Sequence, residues 1–273
     1  MAAEVSGDIQ AIEEAFVAQW AHFGLGPDGV LHDEGDLIWI EAPIPQLPYN
    51  AVVLTRLGND ADDRIRQVVA HFRNRGAQLM WLAHPTARPG DLAQRLSAHG
   101  LSLIEHATGM SLQIASWKPA SLPHDDEVTY LRVEDEKGMR AYEELIADYW
   151  ELPEESRPYV FRVNRWAYEL GNRGERWVAF RDGRPVGKAY LSYLGVADTS
   201  SIFGLYVKPT ERGRGIASRL TEILIASARD RGFTRVVLHS TRTAVELYRR
   251  IGFQETCPFL AYGTARLHSV QQA

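Results

Sequence analysis

Apolar positions recur at helical spacing near the start of the chain. Ile9, Ile12, Phe16, Val17 and Trp20 share one face of a helix predicted over 8–23. A glycine-rich stretch, 24–35, reads as loop. Short strands follow over 37–40 and 51–57, divided by Pro43, Pro45 and Pro48. Ile65, Val68, Val69 and Phe72 predict an amphipathic helix over 62–75. Residues 79–83 form a short apolar run that reads as a buried strand. A helix over 89–99 is stopped by Gly100, and 101–105 and 108–115 read as a closing pair of strands.

Residues 116–127 break this alternation. They carry Pro119, Pro123 and the acidic run Asp125-Asp126-Glu127, the composition of a linker. Beyond it come a strand (128–133) and a helix (136–150), then a break at Pro153 and a second helix (158–170). Residues 177–181 and 186–193 predict a hairpin over Asp182-Gly183. A third strand spans 200–207, and a long helix with Ile216, Leu220, Ile223 and Leu224 as its stripe spans 215–231. A buried strand (235–239), a helix (243–251) and a returning strand from Phe253 complete the order. Alternating strands and helices predict an α/β fold with a mixed sheet. The predicted layout is two domains, 1–118 and 128–273, joined by a linker at 119–127.

Composition narrows the function more than the fold. The 273 residues are 45% hydrophobic and 24% charged, as expected of a globular protein with a sizeable core. A net charge of −5 argues against a nucleic-acid binder. It weakly favours a cationic small molecule as partner. One cysteine, Cys257, permits no intramolecular disulfide and no CxxC zinc site. The first residues lack the pattern of a signal peptide, and no stretch is apolar enough to span a bilayer, so the expected compartment is the cytoplasm.

Two glycine-rich loops invite comparison with phosphate sites. Gly24-Leu25-Gly26-Pro27-Asp28-Gly29 matches GxGxxG formally. It follows a helix rather than a strand and opens no helix, so it reads as a helix stop and turn. The second, Arg212-Gly213-Arg214-Gly215, lies between a strand ending at Val207-Lys208-Pro209 and a long helix. The first N–H groups of a helix have no intrahelical partner, and the dipole there favours negative charge. Gly213 and Gly215 let the backbone approach a ligand, and Arg212 and Arg214 add positive charge. No Gly-Lys-Ser/Thr follows, which excludes a Walker loop. The missing third glycine and downstream acid exclude a dinucleotide loop.

The wider context resembles a known family. Leu205-Tyr206-Val207-Lys208-Pro209, then Arg212-x-x-Gly215-x-Ala217, then Leu220, resembles the acyl-CoA loop of GNAT-type N-acetyltransferases. Further on, Ala244-Val245-Glu246-Leu247-Tyr248-Arg249-Arg250-Ile251-Gly252-Phe253 resembles the second signature of that family. The resemblance covers about 127–267. It implies a GNAT-like fold and acetyl-CoA as cosubstrate. It also implies a pantetheine arm on the backbone near Leu205, Tyr206 and Val207, and a pyrophosphate on the amides of Arg212, Gly213, Arg214, Gly215, Ile216, Ala217 and Ser218. Direct acetyl transfer to an amine would follow. Tyr248 matches the tyrosine that protonates the leaving thiolate, a reasonable task for a phenol in reach of the sulfur.

Two positions depart from the pattern. Thr241 stands where the family often has Asn; it can still donate a hydrogen bond. Ser200-Ser201-Ile202-Phe203-Gly204 lacks the carboxylate that many members use as base. Asp148, Glu151, Tyr193, Asp198 and His239 are the alternatives, with His239 singled out for its position and ordinary pKa. Tyr149 and Trp150, beside Pro153 where the family places its acceptor lid, and Tyr193 are the candidate substrate contacts. No metal motif is present, and His84, His99 and His106 read as ordinary histidines.

The first half reads as a worn copy of the second. Segment 91–101 aligns with 243–253, placing Gly100 on Gly252, Leu101 on Phe253 and Leu96 on Tyr248. Its counterpart loop, Leu57-Gly58-Asn59-Asp60-Ala61-Asp62-Asp63, is acidic and should repel a pyrophosphate. The first half is then a degenerate GNAT-like domain or another α/β domain. The expected protein is an acetyl-CoA-dependent N-acetyltransferase, as monomer or homodimer, acting on a small-molecule or peptide amine. It has no nucleic-acid or membrane partner and no metal. The alternative is a non-catalytic acyl-CoA sensor.

Overall fold

Helical and strand periodicities resolve, in the computed structural model, into helices on both faces of one mixed sheet. The structure describes residues 7–119, 125–171, 173–196 and 198–265. Its elements, in chain order, are α1 (Gly7–Leu25), β1 (Val30–Asp33), β2 (Leu37–Glu41), β3 (Ala51–Thr55), α2 (Ala61–Asn74), β4 (Met80–Ala83), α3 (Leu92–Ala98) and β5 (Ser102–Gln113). Then come β6 (Val128–Arg132), α4 (Glu136–Tyr149), α5 (Arg157–Glu169), β7 (Gly174–Arg181), β8 (Arg184–Ser192) and β9 (Thr199–Val207). The last are α6 (Ile216–Asp230), β10 (Arg235–Ser240), α7 (Val245–Ile251) and β11 (Gln254–Gly263).

Most predicted elements form within a few residues of their expected bounds. The Asp182-Gly183 turn has φ of 50° and 73°, as a tight hairpin requires. Three expectations change. Strand β1 lies inside the stretch expected to be loop; it is short, largely solvent-facing, and owes its order to pairing with β2. The helix before Gly100 starts at Leu92 rather than at Pro89. The closing pair of strands is one strand, β5, which runs unbroken because β10 pairs one edge and β11 the other.

The sheet order is β1-β2-β3-β4-β11-β5-β10-β9-β8-β7-β6. The first four strands and β7–β10 repeat one pattern: two antiparallel pairings, then a parallel one, β3 with β4 and β9 with β10. The last strand of each half then crosses over. β5 pairs with β10 of the second half, and β11 pairs with β4 of the first. The exchanged strands pair with each other at the centre. Residues 120–124 of the linker candidate lie outside the described residues, but the sheet does not divide there.

The two faces have different occupants. α6 and α7 bury Ile216, Leu220, Leu224, Val245 and Tyr248 over Met110, Leu112, Ala189, Ile202 and Leu238. α2 and α3 do the same for the first half, over Leu37, Val52 and Trp81. On the opposite face α1 crosses the middle of the sheet, touching strands of both halves. α4 and α5 lie beside it, over Val178 and Tyr190. Close approach at the crossing is tight: a Cβ on Gly109 of β5 would stand 2.8 Å from Cys257 Sγ and 3.3 Å from Ile12 of α1.

The exchange predicts mutual dependence. Fragments 1–118 and 128–273, prepared apart, each leave an inner strand without its partner, which favours aggregation over folding. Mixed on refolding, they are expected to regain one cooperative thermal transition by circular dichroism. A cooperative transition for 128–273 alone would contradict the dependence.

Candidate functional site

The parallel strands β9 and β10 pair only from Thr199–Arg235 to Ile202–Leu238. Beyond Ile202 they diverge, and β9 runs on to Val207 without a strand partner on that side. β9 also bulges: Lys188 and Tyr190 of β8 face Tyr206 and Phe203, so one extra residue sits in β9. Gly204, with φ of +57°, supplies the turn. The result is an open edge at Leu205, Tyr206 and Val207 in the middle of the sheet.

The opening leads to the predicted anion loop. Gly213 and Gly215 have φ of +80° and +76°. Gly215 caps α6, whose first backward bond runs from Arg219 N–H to the Gly215 oxygen at 3.0 Å. The N–H groups of Ile216, Ala217 and Ser218 therefore face out of the helix end. With Val207, Arg212, Leu247 and Arg250 they line a hollow of about 350 Å³. Arg250 was not anticipated. Arg214 does not turn its charge inward; its guanidinium lies 3.4 Å from Asp125 and 3.3 Å from Glu211. Only its backbone is left to serve the loop. Arg212 reaches back to the Val207 oxygen at 3.4 Å. Thr241 follows β10, half-buried, with its hydroxyl 3.2 Å from that of Thr243.

In the first half the equivalent opening is filled by the chain itself. β3 and β4 pair over two positions and diverge. Arg88 N–H then bonds the Thr55 oxygen at 3.0 Å, and Leu57 N–H bonds the Arg88 oxygen at 3.2 Å. The segment after β4 thus occupies the edge that β9 leaves open. The loop before α2 stays acidic; Arg95 pairs with both Asp62 and Asp91.

Tyr248 packs in the core between α7 and the sheet, 5.6 Å from the Phe253 ring. Burial pushes its hydroxyl well above the usual range, and the nearby Tyr149 adds to the shift. The two tyrosines approach from opposite faces of the sheet. Burial likewise pushes Tyr149 up to about 12, with a contribution from Glu105. Glu105 lies on β5, from the first half, and burial raises its carboxyl. No motif marked it, because the strand exchange that brings it near Tyr149 is invisible locally.

His239 does not suit the base role. Its ring is wedged between Phe16 and Phe259, at 4.5 and 4.1 Å, and both ring nitrogens are buried without a partner. Burial, with His84 nearby, lowers its pKa to about 3. A proton accepted there would put an unpaired cation in an aromatic cage. Asp198 is at the far end of β9, bonded to Thr199 and Thr234. Asp148 pairs with Lys208 at 3.4 Å.

On the α1 face, next to the bulge, lies a cavity bounded by α1, α4, α5, β8 and β9. Trp150 lines it, and Tyr149 meets the Trp150 ring edge-on, with centroids 4.6 Å apart. Tyr193 does not: it falls on the other face, against Phe233 at 5.5 Å with Arg231 over its ring. Period-2 parity explains this, since Tyr193 is an odd number of residues from Lys188 and Tyr190.

Lys188 is a buried amine that the motifs did not mark. Its Nζ donates to the Gly204 oxygen at 2.7 Å and lies over the Tyr142 and Tyr149 rings. Burial lowers its pKa from 10.5 to about 7. Between those values the unfolded chain holds a proton that the folded chain has released, so stability rises with pH across that window. Lys188→Met removes the dependence. The variant's melting temperature, relative to the parent's, is expected to be most favourable below pH 7 and to lose ground up to pH 10.5. A pH-independent gap in calorimetric melts would show that the amine is not desolvated.

Among the described residues no three His, Cys, Asp or Glu side chains converge as a metal site. Nor is any helix among them long and apolar enough to cross a membrane. Residues 139–253 match the model of the acetyltransferase (GNAT) family. N-acetyltransferase family 8 member 2 of Rattus norvegicus is 38% identical over 96 residues, 32% of this chain and 42% of that protein. The chain thus spans about two-fifths of that relative's length. A GCN5-related N-acetyltransferase from Kribbella flavida has the same fold over 93% of this chain and 95% of its own, with TM-score 0.66 and 17% identity. A tandem GNAT protein from the clavulanic acid biosynthesis pathway matches over 95% and 96%, with TM-score 0.62 and 13% identity.

Proposed function

We propose that this chain, whose residues 139–253 match the model of the acetyltransferase (GNAT) family, transfers an acetyl group from acetyl-CoA to the amine of a small molecule or peptide. The observation that carries this reading is the opening between β9 and β10, which ends on the free amides of α6. An extended chain with an unpaired backbone edge beside it, and an anion site at its end, suits a pantetheine arm and its pyrophosphate. The hollow at Gly213–Ala217 is of the right chemistry: helix amides, Arg212 and Arg250 line it, and the one carboxylate beside them, Glu211, is paired with Arg181 and Arg214.

At the other end of the opening the Leu205 N–H and the bulge at Gly204 meet the thioester. The acceptor nitrogen attacks the carbonyl carbon, forming the C–N bond. The C–S bond breaks, the Tyr248 hydroxyl gives its proton to the departing sulfur, and the proton shed by the acylated nitrogen passes to water, from which the Tyr248 hydroxyl is restored. Burial keeps that hydroxyl protonated at neutral pH, as an acid must be. Lys188 holds the Gly204 carbonyl and so fixes the bulge peptide whose N–H belongs to Leu205. The first half contributes structure: its own opening is filled, and it lends β5 to the second.

Thiol release from acetyl-CoA over a panel of amines tests the reaction, and titration calorimetry tests binding. Micromolar acetyl-CoA binding with release dependent on one class of amine is the expected result. Binding without release for any amine would refute the transferase.

A further inference from the structure

The cavity beside the bulge contains positive charge and no negative charge. Arg176 and Lys188 both line it; no Asp or Glu does. Both are buried, 3% and 2% exposed. Arg176 opposes Tyr190 in the sheet, and Lys188 lies two positions before Tyr190, so both project from the same face. Neither has an ion-pair partner among the described residues. Arg176 spends one Nη2 bond on the Asn164 main-chain oxygen at 3.0 Å, and its Nε is buried with no partner. Gln19 Oε1 and His22 Nε2 are also buried and unpartnered in the lining of this cavity.

A buried guanidinium without an anion is costly. The Tyr190 ring at 4.9 Å, and Tyr142 and Tyr168 at 5.8 Å, offset part of that cost and leave Nε unsatisfied. Gly204 lines the same cavity, which therefore opens on the bulge where transfer would occur. Its lining also repels an ammonium group, so a polyamine or another purely cationic acceptor is the wrong charge. The −5 net charge of the whole chain is a poor guide to this interior.

We propose that the acceptor is an amino carboxylate, an amine that also carries a carboxylate, bound in this cavity with the carboxylate on Arg176 and the amine toward Gly204. The proposal rests on the acetyltransferase reading. Lys188 stands between the two ends. Its positive form attracts the carboxylate and disfavours protonation of the amine, which must be neutral to attack. The aromatic walls, Trp20, Phe23 and Trp150, suit an apolar remainder.

Matched acceptors test this on the unaltered chain: phenylalanine against phenethylamine, and γ-aminobutyrate against propylamine, by thiol release. The carboxylate-bearing member of at least one pair is expected to be favoured in kcat/KM by on the order of 100-fold. Arg176→Gln is expected to abolish that preference while acetyl-CoA affinity stays unchanged in calorimetry; Arg176→Lys should keep part of it. If Arg176→Gln fails to fold, the Lys variant and the substrate pairs still decide. Turnover with equal or better use of the decarboxylated amines overturns this proposal and leaves the transferase standing. Acetyl-CoA binding with no turnover of any amine overturns the transferase, and this proposal with it. As an activity-independent readout, N-acetylphenylalanine is expected to raise the melting temperature and N-acetylphenethylamine is not. Equal shifts, or none, count against the anion site.

Discussion

Tyr248→Phe is expected to lower kcat by about 100-fold or more, the usual worth of a positioned general acid, with acetyl-CoA affinity within about twofold of the parent. The ring is part of the core under α7, packed on Phe253. Phe preserves that packing, so the melting temperature should scarcely move. Only the proton donor is lost. The hydroxyl's raised pKa places its own titration above the working range, so the parent should show no loss of acid function up to pH 9. Stopped-time thiol release with saturating acetyl-CoA measures the effect. An unchanged kcat would leave Tyr248 a packing residue and move the acid elsewhere.

The second large effect is expected at Gly215. Its φ of +76° lies in the left-handed region, where a β-branched side chain is strained. Gly215→Val would force the N-terminus of α6 to rearrange and place a side chain beside the amides. Acetyl-CoA affinity by calorimetry should weaken by roughly 100-fold, since several phosphate bonds are lost together. Gly58→Val is the internal control. Gly58 sits in the equivalent loop of the first half, where an added Cβ meets nothing closer than Asp60 at 3.8 Å. It should leave acetyl-CoA binding unchanged. A matching loss at Gly58 would mean that the first half binds the nucleotide too.

Much of the second half was legible because its signals are local. A helix stripe, a hairpin dipeptide and a glycine pair before a helix are written within a dozen residues. The partnership of β5 and β11 is not, since neither strand carries a mark of which neighbour it will choose. That choice misplaced β5 as two strands. The gap at His106 and Ala107 read as an interruption between two strands, while in the sheet both residues belong to one extended strand paired with β11. It also hid Glu105 from the site. His239 failed as a base for another reason: Phe16 and Phe259, far apart in sequence, close over it. Lys188 and Arg176 did leave a signal. Lys188 interrupts the apolar run of β8 on the same parity as Tyr190, and Arg176 is the one charge on the face of β7 shared with Val178 and Phe180; a charge on a buried face calls for a partner.

The crossing of β5 and β11 bears on how the protein is made. Synthesis proceeds from the N-terminus, so β5 emerges long before either of its neighbours, β10 and β11. Until residues 254–263 leave the ribosome, β4 and β5 must wait with open edges. The first half therefore cannot finish folding on the nascent chain, as tandem domains often do. Its closure depends on contacts more than a hundred and fifty residues apart, which slows folding and leaves strands exposed while they wait. Strand edges that stay open during translation and close only when β11 arrives are a cost built into a sheet that two halves share.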